Sequence, residues 1–217
     1  MFPNPLISTM GEVAAKIRVI GILLLMLVFG SGSSFSQEKE EILTYEIVVF
    51  GLKIGELEAK KVSEEPGKLR YQVESFVKFW FFGNVDLQFS TQSHFDSGRI
   101  VNTLSESKTN RGDYFSKIRW NGNQYEVEAS TYKYENQKPL NGPLSWCSTK
   151  LFFEEPKPGN VFLSEVYGVS QKIVQVQPNV YEITIEGNKN RYFYQSGILE
   201  KVVIENPIKN YQIRRLR

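Results

Sequence analysis

The sequence is poor in the residue types on which metal sites and many enzymes depend. Its 217 residues include one cysteine, Cys147, and one histidine, His94. A single cysteine cannot form an internal disulfide, and no group of cysteine, histidine and acidic residues has metal-ligand spacing. Motifs of nucleotide-binding loops, nucleophile elbows and zinc proteases are also absent. We therefore expect no metal, no cofactor and no catalytic residue, with packing or surface roles for Cys147 and His94.

Neither sign of charge dominates the chain. Lysine and arginine number 26, aspartate and glutamate number 24, and the formal net charge is +2. A surface that binds nucleic acid needs an excess of basic residues to neutralise phosphates. The composition therefore argues against nucleic acid as a partner.

Long apolar runs are lacking, with one exception near the start of the chain. Lys16 and Arg18 precede the uncharged apolar run 19–29, and the small, polar segment 30–36 follows. This order of features predicts a secretory signal peptide that is cleaved before Gln37. The apolar run is about half the roughly 20 residues of a membrane-spanning helix, so an uncleaved anchor is disfavoured.

The predicted organisation is a signal peptide over residues 1–36, starting at Met1 or Met10, and one domain over residues 37–217. No cysteine lies near the cleavage site, which excludes lipoprotein processing. We expect an exported protein of a bacterial periplasm or cell envelope. Without disulfides, such a protein depends on its core for stability.

Most of the remaining sequence has the two-residue alternation of β-strands. Tyr45, Ile47 and Val49 share one face of the first such segment, and the pair Asn121-Gly122 predicts a hairpin with a type I′ turn. About 11–12 short strands are expected, joined by short turns in meander order. The pattern predicts an all-β fold, either a closed or half-closed lipocalin-like barrel or, as an alternative, a two-sheet sandwich.

One segment departs from this alternation. Apolar residues recur at helical spacing within 144–153, which predicts one short helix that ends before Pro156. The recurring positions are Leu144, Cys147, Lys150 and Leu151. The next segment, 161–169, is expected to be extended.

The chain is rich in aromatic residues, with 15 phenylalanines, 11 tyrosines and three tryptophans. In a barrel these side chains either line an apolar cavity for a hydrophobic ligand or fill a packed core, and composition does not separate the two. Four aromatic residues in succession cannot share one face of a strand and suggest a cavity mouth or contact patch. The candidate ligand-binding residues are Phe79, Trp80, Phe81, Phe82, Trp146, Phe152, Phe153 and Tyr167.

Three carboxylates are the candidate polar site residues: Glu154, Glu155 and Glu165. Paired carboxylates perform acid–base chemistry when their surroundings separate their pKa values. Glu154 and Glu155 are adjacent in sequence and point in different directions, so roles as caps or ion-pair partners are favoured over catalysis.

A set of motifs resembles a known family. It comprises Tyr45 with Gly51 and Gly55, and the three segments 151–156 (LFFEEP), 161–168 (VFLSEVYG) and 192–199 (YFYQSGIL). Together they are similar to the domain of unknown function 6134 family of exported bacterial proteins, over nearly all of the mature chain. The opening is more loosely similar to the domain of unknown function 3108, whose members look like lipocalin-like envelope proteins. Neither resemblance implies a catalytic residue.

Three functional hypotheses follow. The first is a non-catalytic envelope protein whose barrel interior binds a hydrophobic small molecule, a lipid or an envelope protein. The second is a structural or interaction protein with a packed core and an aromatic contact patch at 79–82. The third is an enzyme that uses the carboxylates at 154–165.

Overall fold

The computed structural model describes residues 39–79, 85–110, 112–131, 134–205 and 210–217, and only the backbone of residues 79 and 85. The predicted signal peptide lies outside these ranges. The described part contains 17 strands and one helix. None of its helices has the length and apolar character needed to cross a membrane.

Long strands come first, short strands lie in the middle, and medium-length strands complete the fold. The strands are β1 (Lys39–Val49), β2 (Leu52–Glu65), β3 (Lys68–Phe79), β4 (Val85–Asp96), β5 (Arg99–Thr109), β6 (Gly112–Trp120), β7 (Gln124–Thr131), β8 (Tyr134–Asn136), β9 (Leu140–Asn141), β10 (Trp146–Cys147), β11 (Val161–Ser164), β12 (Val169–Lys172), β13 (Val174–Gln177), β14 (Val180–Ile185), β15 (Asn188–Gln195), β16 (Ile198–Ile204) and β17 (Tyr211–Arg215). The helix, α1, is Ser148–Leu151.

One antiparallel sheet of 14 strands dominates the described residues. Its order is β13-β14-β15-β16-β17-β1-β2-β3-β4-β5-β6-β7-β8, with β9 added to β7. Two meanders are thus joined where β17 pairs with β1, as in the pair Ile47 and Ile213. The order ends at β13 and β8, so the hydrogen bonding of the described strands is not closed. The all-β prediction is confirmed in its half-closed form.

The core lies between the main sheet and one inner segment, residues 144–173. This inner segment carries α1 and a small sheet in which β10 runs parallel to β11 and β11 antiparallel to β12. One core cluster includes its buried residues Leu151 and Phe152, and a second includes Cys147 and Leu163. The two clusters draw on opposite halves of the main sheet. Because both halves contact the same segment, the sheet curves around it.

Three local predictions are refined by the structure. The predicted helix is present but occupies only Ser148–Leu151, because Trp146 and Cys147 pair with β11 as a short strand. The hairpin at Asn121 is confirmed, but its type I′ turn is wrong. Gly122 has a φ of 102° while Asn121 is not in the left-handed region. The Asn121 side chain instead accepts hydrogen bonds from the backbone N–H groups of residues 123 and 124.

The extended segment expected over 161–169 is interrupted by a turn. Strand β11 ends at Ser164, and the N–H of Gly168 donates to the Ser164 carbonyl at 2.9 Å. Gly168 has a φ of 61°, and a Cβ at this position would overlap the Val127 side chain. The turn therefore requires glycine for both its backbone angle and its close approach to β7. It also takes Glu165 out of the strand.

Candidate functional site

A cavity of about 480 Å³ lies between the main sheet and the inner segment. Ligand sites in proteins have volumes of roughly 300–1,000 Å³ and mainly apolar walls. Aliphatic residues of the main sheet line much of this cavity. They include Ile47 on β1, Val77 on β3, Leu87 on β4, Val202 on β16 and Ile213 on β17.

The strand alternation explains why these side chains meet. Ile47, Gly55, Val77 and Leu87 follow one another across the paired strands β1 to β4. In the other direction Ile47 pairs with Ile213, which in turn pairs with Val202. Positions in one such row point to the same side of the sheet. Gly55 contributes no side chain to this row.

The inner segment supplies the remaining wall. Phe152 and Phe162 provide aromatic rings, while Ser148 and Thr149 of α1 provide short polar side chains. Phe152 is buried and contacts Tyr45 edge-on, with ring centroids 5.1 Å apart. The cavity is thus enclosed by the sheet on several sides and by the inner segment.

Three tyrosines are among the residues that line the cavity: Tyr167, Tyr192 and Tyr211. Burial raises the pKa of Tyr192 well above its usual range and raises the pKa of Tyr211 to about 12. Burial also raises the pKa of Tyr167, and the nearby Glu186 carboxylate acts in the same direction. The three phenols are therefore uncharged at physiological pH.

Among the described residues, Glu205 is the one charged residue that lines the cavity. Its Oε2 accepts a hydrogen bond from the backbone N–H of Lys189 at 2.9 Å. Lys189 itself does not line the cavity; its ammonium group pairs with Glu182 at 3.5 Å. No lysine or arginine of the described ranges contributes to the cavity wall.

The predicted polar residue Glu165 lies at the amino end of α1 and is 1% exposed. Its carboxylate accepts the backbone N–H groups of Ser148 at 2.9 Å and Thr149 at 3.0 Å. The hydroxyls of Ser148, Thr149 and Ser93 also donate to it. A carboxylate in this position satisfies N–H groups that have no partner within the helix and interacts favourably with the helix dipole.

Glu154 follows the carboxyl end of the same helix, so α1 separates it from Glu165. The Tyr71 hydroxyl donates to Glu154 at 2.7 Å, and the ammonium groups of Lys150 and Lys61 lie 3.4 and 3.6 Å away. Partial burial raises the pKa of Glu154, but the Tyr71 hydrogen bond and the two lysines outweigh it and the pKa is lowered. This carboxylate is ionised and ion-paired.

Glu155 has a different neighbour from either of the other two. Its Oε1 accepts a hydrogen bond from the Tyr181 hydroxyl at 3.0 Å. Burial, followed by this hydrogen bond, raises the pKa of Tyr181. The three carboxylates thus have separate sets of partners, and none of them lines the cavity.

The predicted aromatic residues are distributed over several environments. Phe152 and Tyr167 line the cavity. Phe153 contacts Tyr71 at a ring-centroid distance of 5.7 Å. Trp146 carries the Lys150 ammonium over its ring at 4.6 Å. The predicted patch at Phe79, Trp80, Phe81 and Phe82 lies outside the residues whose side chains are described.

Cys147 and His94 face different surroundings. Cys147 is fully buried, and burial raises the pKa of its thiol. His94 pairs across strands with Arg70 and Asn102, and its Nδ1 lies 4.0 Å from a carboxylate oxygen of Glu64. No group of three histidine, cysteine or acidic side chains in the described ranges is arranged to hold a metal ion.

Sequence reasoning missed most of the cavity wall. Asn188, Asn190 and Tyr192 occupy alternate positions of β15 and all line the cavity. The available signal was the presence of two amides at positions where the alternation places core residues. Polar residues on an inward strand face indicate either internal hydrogen bonding or a cavity.

Comparison with known proteins gives a family and likenesses to solved structures. Residues 45–216 match the family model described as Domain of unknown function (DUF6134), which confirms the predicted resemblance. Among solved structures, the chain is similar to a β-barrel-like protein of the domain of unknown function DUF1849 from Brucella abortus. The TM-score is 0.46 and the identity 12%, over 81% of this chain and 95% of that chain. No functionally curated protein matches the sequence. The looser similarity to domain 3108 stays a prediction.

Proposed function

We propose that this chain, which belongs to the family of the Domain of unknown function (DUF6134), is a non-catalytic, exported envelope protein. In this proposal it binds a hydrophobic molecule or lipid inside its barrel-like sheet. The observation that carries the proposal is the mainly apolar cavity of about 480 Å³. At roughly 30 Å³ per water molecule in the liquid, this volume corresponds to about 16 waters.

The arrangement of the carboxylates supports a non-catalytic role. Glu165 is held by α1 and hydroxyl donors, Glu154 by Tyr71 and two lysines, and Glu155 by Tyr181. Acid–base catalysis needs groups that converge on one reacting atom. These three side chains are engaged at separate places, which favours the binding hypothesis over the enzyme hypothesis.

The cavity also favours binding over a purely structural role. A structural protein with a filled core needs no open volume of this size, since protein interiors are close-packed with few voids larger than water. The features of residues 1–36 support export. The mainly apolar walls of the cavity, in which Glu205 is the one charged residue of the described ranges, support an apolar ligand, because charged ligands need charged or hydrogen-bonding partners when they leave water.

The binding of diphenylhexatriene, a hydrocarbon that fluoresces in apolar surroundings, tests this proposal. We expect the purified protein to bind the probe and the variant Val202→Phe to bind it at least tenfold more weakly, because the larger side chain occupies the cavity. Val202 is 1% exposed and lines the cavity. Val203→Phe is the matched control, since the next residue of β16 points to the opposite side of the sheet.

Two results would overturn the proposal. The first is the absence of hydrocarbon binding by the wild-type protein, even at saturating protein concentrations. The second is equal binding by the wild type and Val202→Phe while circular dichroism shows that both are folded. Unchanged binding by Val203→Phe, with loss in Val202→Phe, places the probe inside the sheet rather than on its outer face.

A further inference from the structure

The buried tyrosines differ in whether their hydroxyl groups have protein partners. Five buried tyrosines that do not line the cavity have such partners. Three of them donate to backbone carbonyls: Tyr45 to Leu199 at 3.1 Å, Tyr125 to Ile100 at 2.9 Å and Tyr194 to Leu151 at 2.8 Å. The other two donate to carboxylates: Tyr71 to Glu154 and Tyr181 to Glu155. Buried polar groups in proteins are generally satisfied in this way.

The three tyrosines that line the cavity behave differently. Within the described part of the chain, the hydroxyls of Tyr167, Tyr192 and Tyr211 have no hydrogen-bond partner. The Tyr192 residue is only 6% exposed, yet its hydroxyl is not one of the fully buried atoms without a partner, so it is open to the space of the cavity. Among the described lining residues, the Oδ1 atom of Asn190 is the one polar side-chain atom that is buried without a partner. A buried polar group without a partner is costly, which points to a partner that is not part of this chain.

Asn190, Tyr192 and Tyr211 lie on one wall of the cavity, formed by β15 and β17. Asn190 and Tyr192 are two residues apart on β15 and share a face. Asn190 pairs with Ile204, and Ile204 pairs with Tyr211, so Asn190 and Tyr211 lie in one row two strands apart. At about 4.8 Å between neighbouring strands, their backbones are about 10 Å apart. On β3 and β4 the lining is mainly apolar, with Val73, Val77, Leu87 and Phe89 beside Ser75 and Thr91.

The charges around this wall restrict the ligand further. Glu205 is the one charged residue that lines the cavity, and no basic residue of the described ranges accompanies it. A carboxylate or phosphate head group would enter a low-dielectric site that offers no cation and already contains a carboxylate. Uncharged phenol and amide groups instead suit a head group that accepts and donates neutral hydrogen bonds.

We propose that the ligand is an uncharged amphiphile whose hydroxyl, carbonyl or amide head hydrogen-bonds to Tyr192, Tyr211 and Asn190. Its hydrocarbon part lies against the mainly apolar lining residues of β1, β3 and β4. This inference rests on the proposed function, because it assigns the chemistry of the molecule that the same cavity takes.

Displacement of bound diphenylhexatriene by decanamide and by decanoate at pH 8 tests the inference. The two competitors have the same chain and heads of similar shape, but only decanoate is charged. We expect decanamide to bind at least tenfold more tightly than decanoate. Tyr192→Phe and Tyr211→Phe each remove one hydroxyl and should weaken decanamide binding by about three- to tenfold while leaving the hydrocarbon probe unaffected.

Tyr181→Phe is the matched control, because it removes a tyrosine hydroxyl that faces Glu155 rather than the cavity. It should leave the affinities for both molecules unchanged. If the hydrocarbon binds but decanamide binds no better than decanoate, or the Tyr192 and Tyr211 variants keep full decanamide affinity, the head-group inference is overturned and the proposed function stands. If neither the hydrocarbon nor decanamide binds, the proposed function fails and the inference fails with it.

Discussion

Replacement of Glu165 by alanine tests whether this carboxylate holds the inner segment in place. In the wild type it accepts two backbone N–H groups of α1, those of Ser148 and Thr149, together with three hydroxyl donors. Alanine offers none of these acceptors. The hydroxyls of Ser148 and Thr149 can rotate toward the cavity, which both residues line, but the N–H groups are fixed by the helix.

The expected cost follows from those two N–H groups. A buried donor without a partner costs about 1–3 kcal/mol, which gives a range of about 2–6 kcal/mol for the pair. Loss of a helix cap costs about 0.5–2 kcal/mol when water replaces the lost acceptor. Because the cavity lets some water reach α1, we expect Glu165→Ala to lower the free energy of unfolding by about 3 kcal/mol. Glu165→Gln keeps one acceptor oxygen and should lose about half as much.

Urea unfolding at neutral pH, followed by tryptophan fluorescence, measures both variants. The dependence of the free energy on urea should be unchanged, so that the midpoints report stability directly. Glu155→Ala is the control, because Glu155 makes one hydrogen bond, with Tyr181, and should cost no more than about 1 kcal/mol. A Glu165→Ala loss below about 1 kcal/mol, or no larger than the Glu155→Ala loss, would refute the capping role.

Two further predictions concern the acid limit of stability and export. The folded-state pKa of Glu154 is lowered from 4.5, so its contribution is fully present above pH 4.5 and is lost as pH falls through the lower folded value. Urea unfolding of the wild type and of Glu154→Gln should differ by less than about 1 kcal/mol at neutral pH, since the Glu154 side chain is 37% exposed. This difference should shrink as the pH falls through the acid window. A difference that is constant down to pH 2 would contradict the prediction. Protein purified from the exporting host should begin at Gln37 by mass spectrometry, and retention of residues 1–36 would show that the signal peptide is not cleaved.

Much of the fold was predictable because most strands have one buried and one exposed face. Tyr45, Ile47 and Val49 are buried as expected, although Val48 is buried too, where the register of β1 and β2 shifts. The pair Asn121-Gly122 placed a hairpin correctly, although the asparagine side chain selects another turn. Short strands such as β9 and β10 have too few residues to show a period, so their pairing depends on tertiary contacts.

The site was less predictable for a physical reason. Whether inward aromatic and aliphatic side chains fill a core or line a cavity depends on how far the sheet curves, and alternation alone does not report curvature. The alternation across 161–169 also concealed the turn at Gly168, which turns Glu165 toward α1. That contact joins residues of two separate segments, and neither segment's own sequence contains it.

The pairing of β17 with β1 has a consequence for folding. Strand β1 is the first described strand of the chain and β17 the last, and β17 is the only described strand that connects the two meanders through the main sheet. Until β17 is in place, β1 and β16 are edge strands that each lack a partner on one side. Each also carries apolar residues that are buried in the folded protein, and such edges are prone to associate with other chains. Contacts so distant in sequence form slowly, because the chain must close a long loop first. Assembly of the main sheet thus depends on its last strand, and chaperone protection of the preceding strands would be most useful before β17 docks.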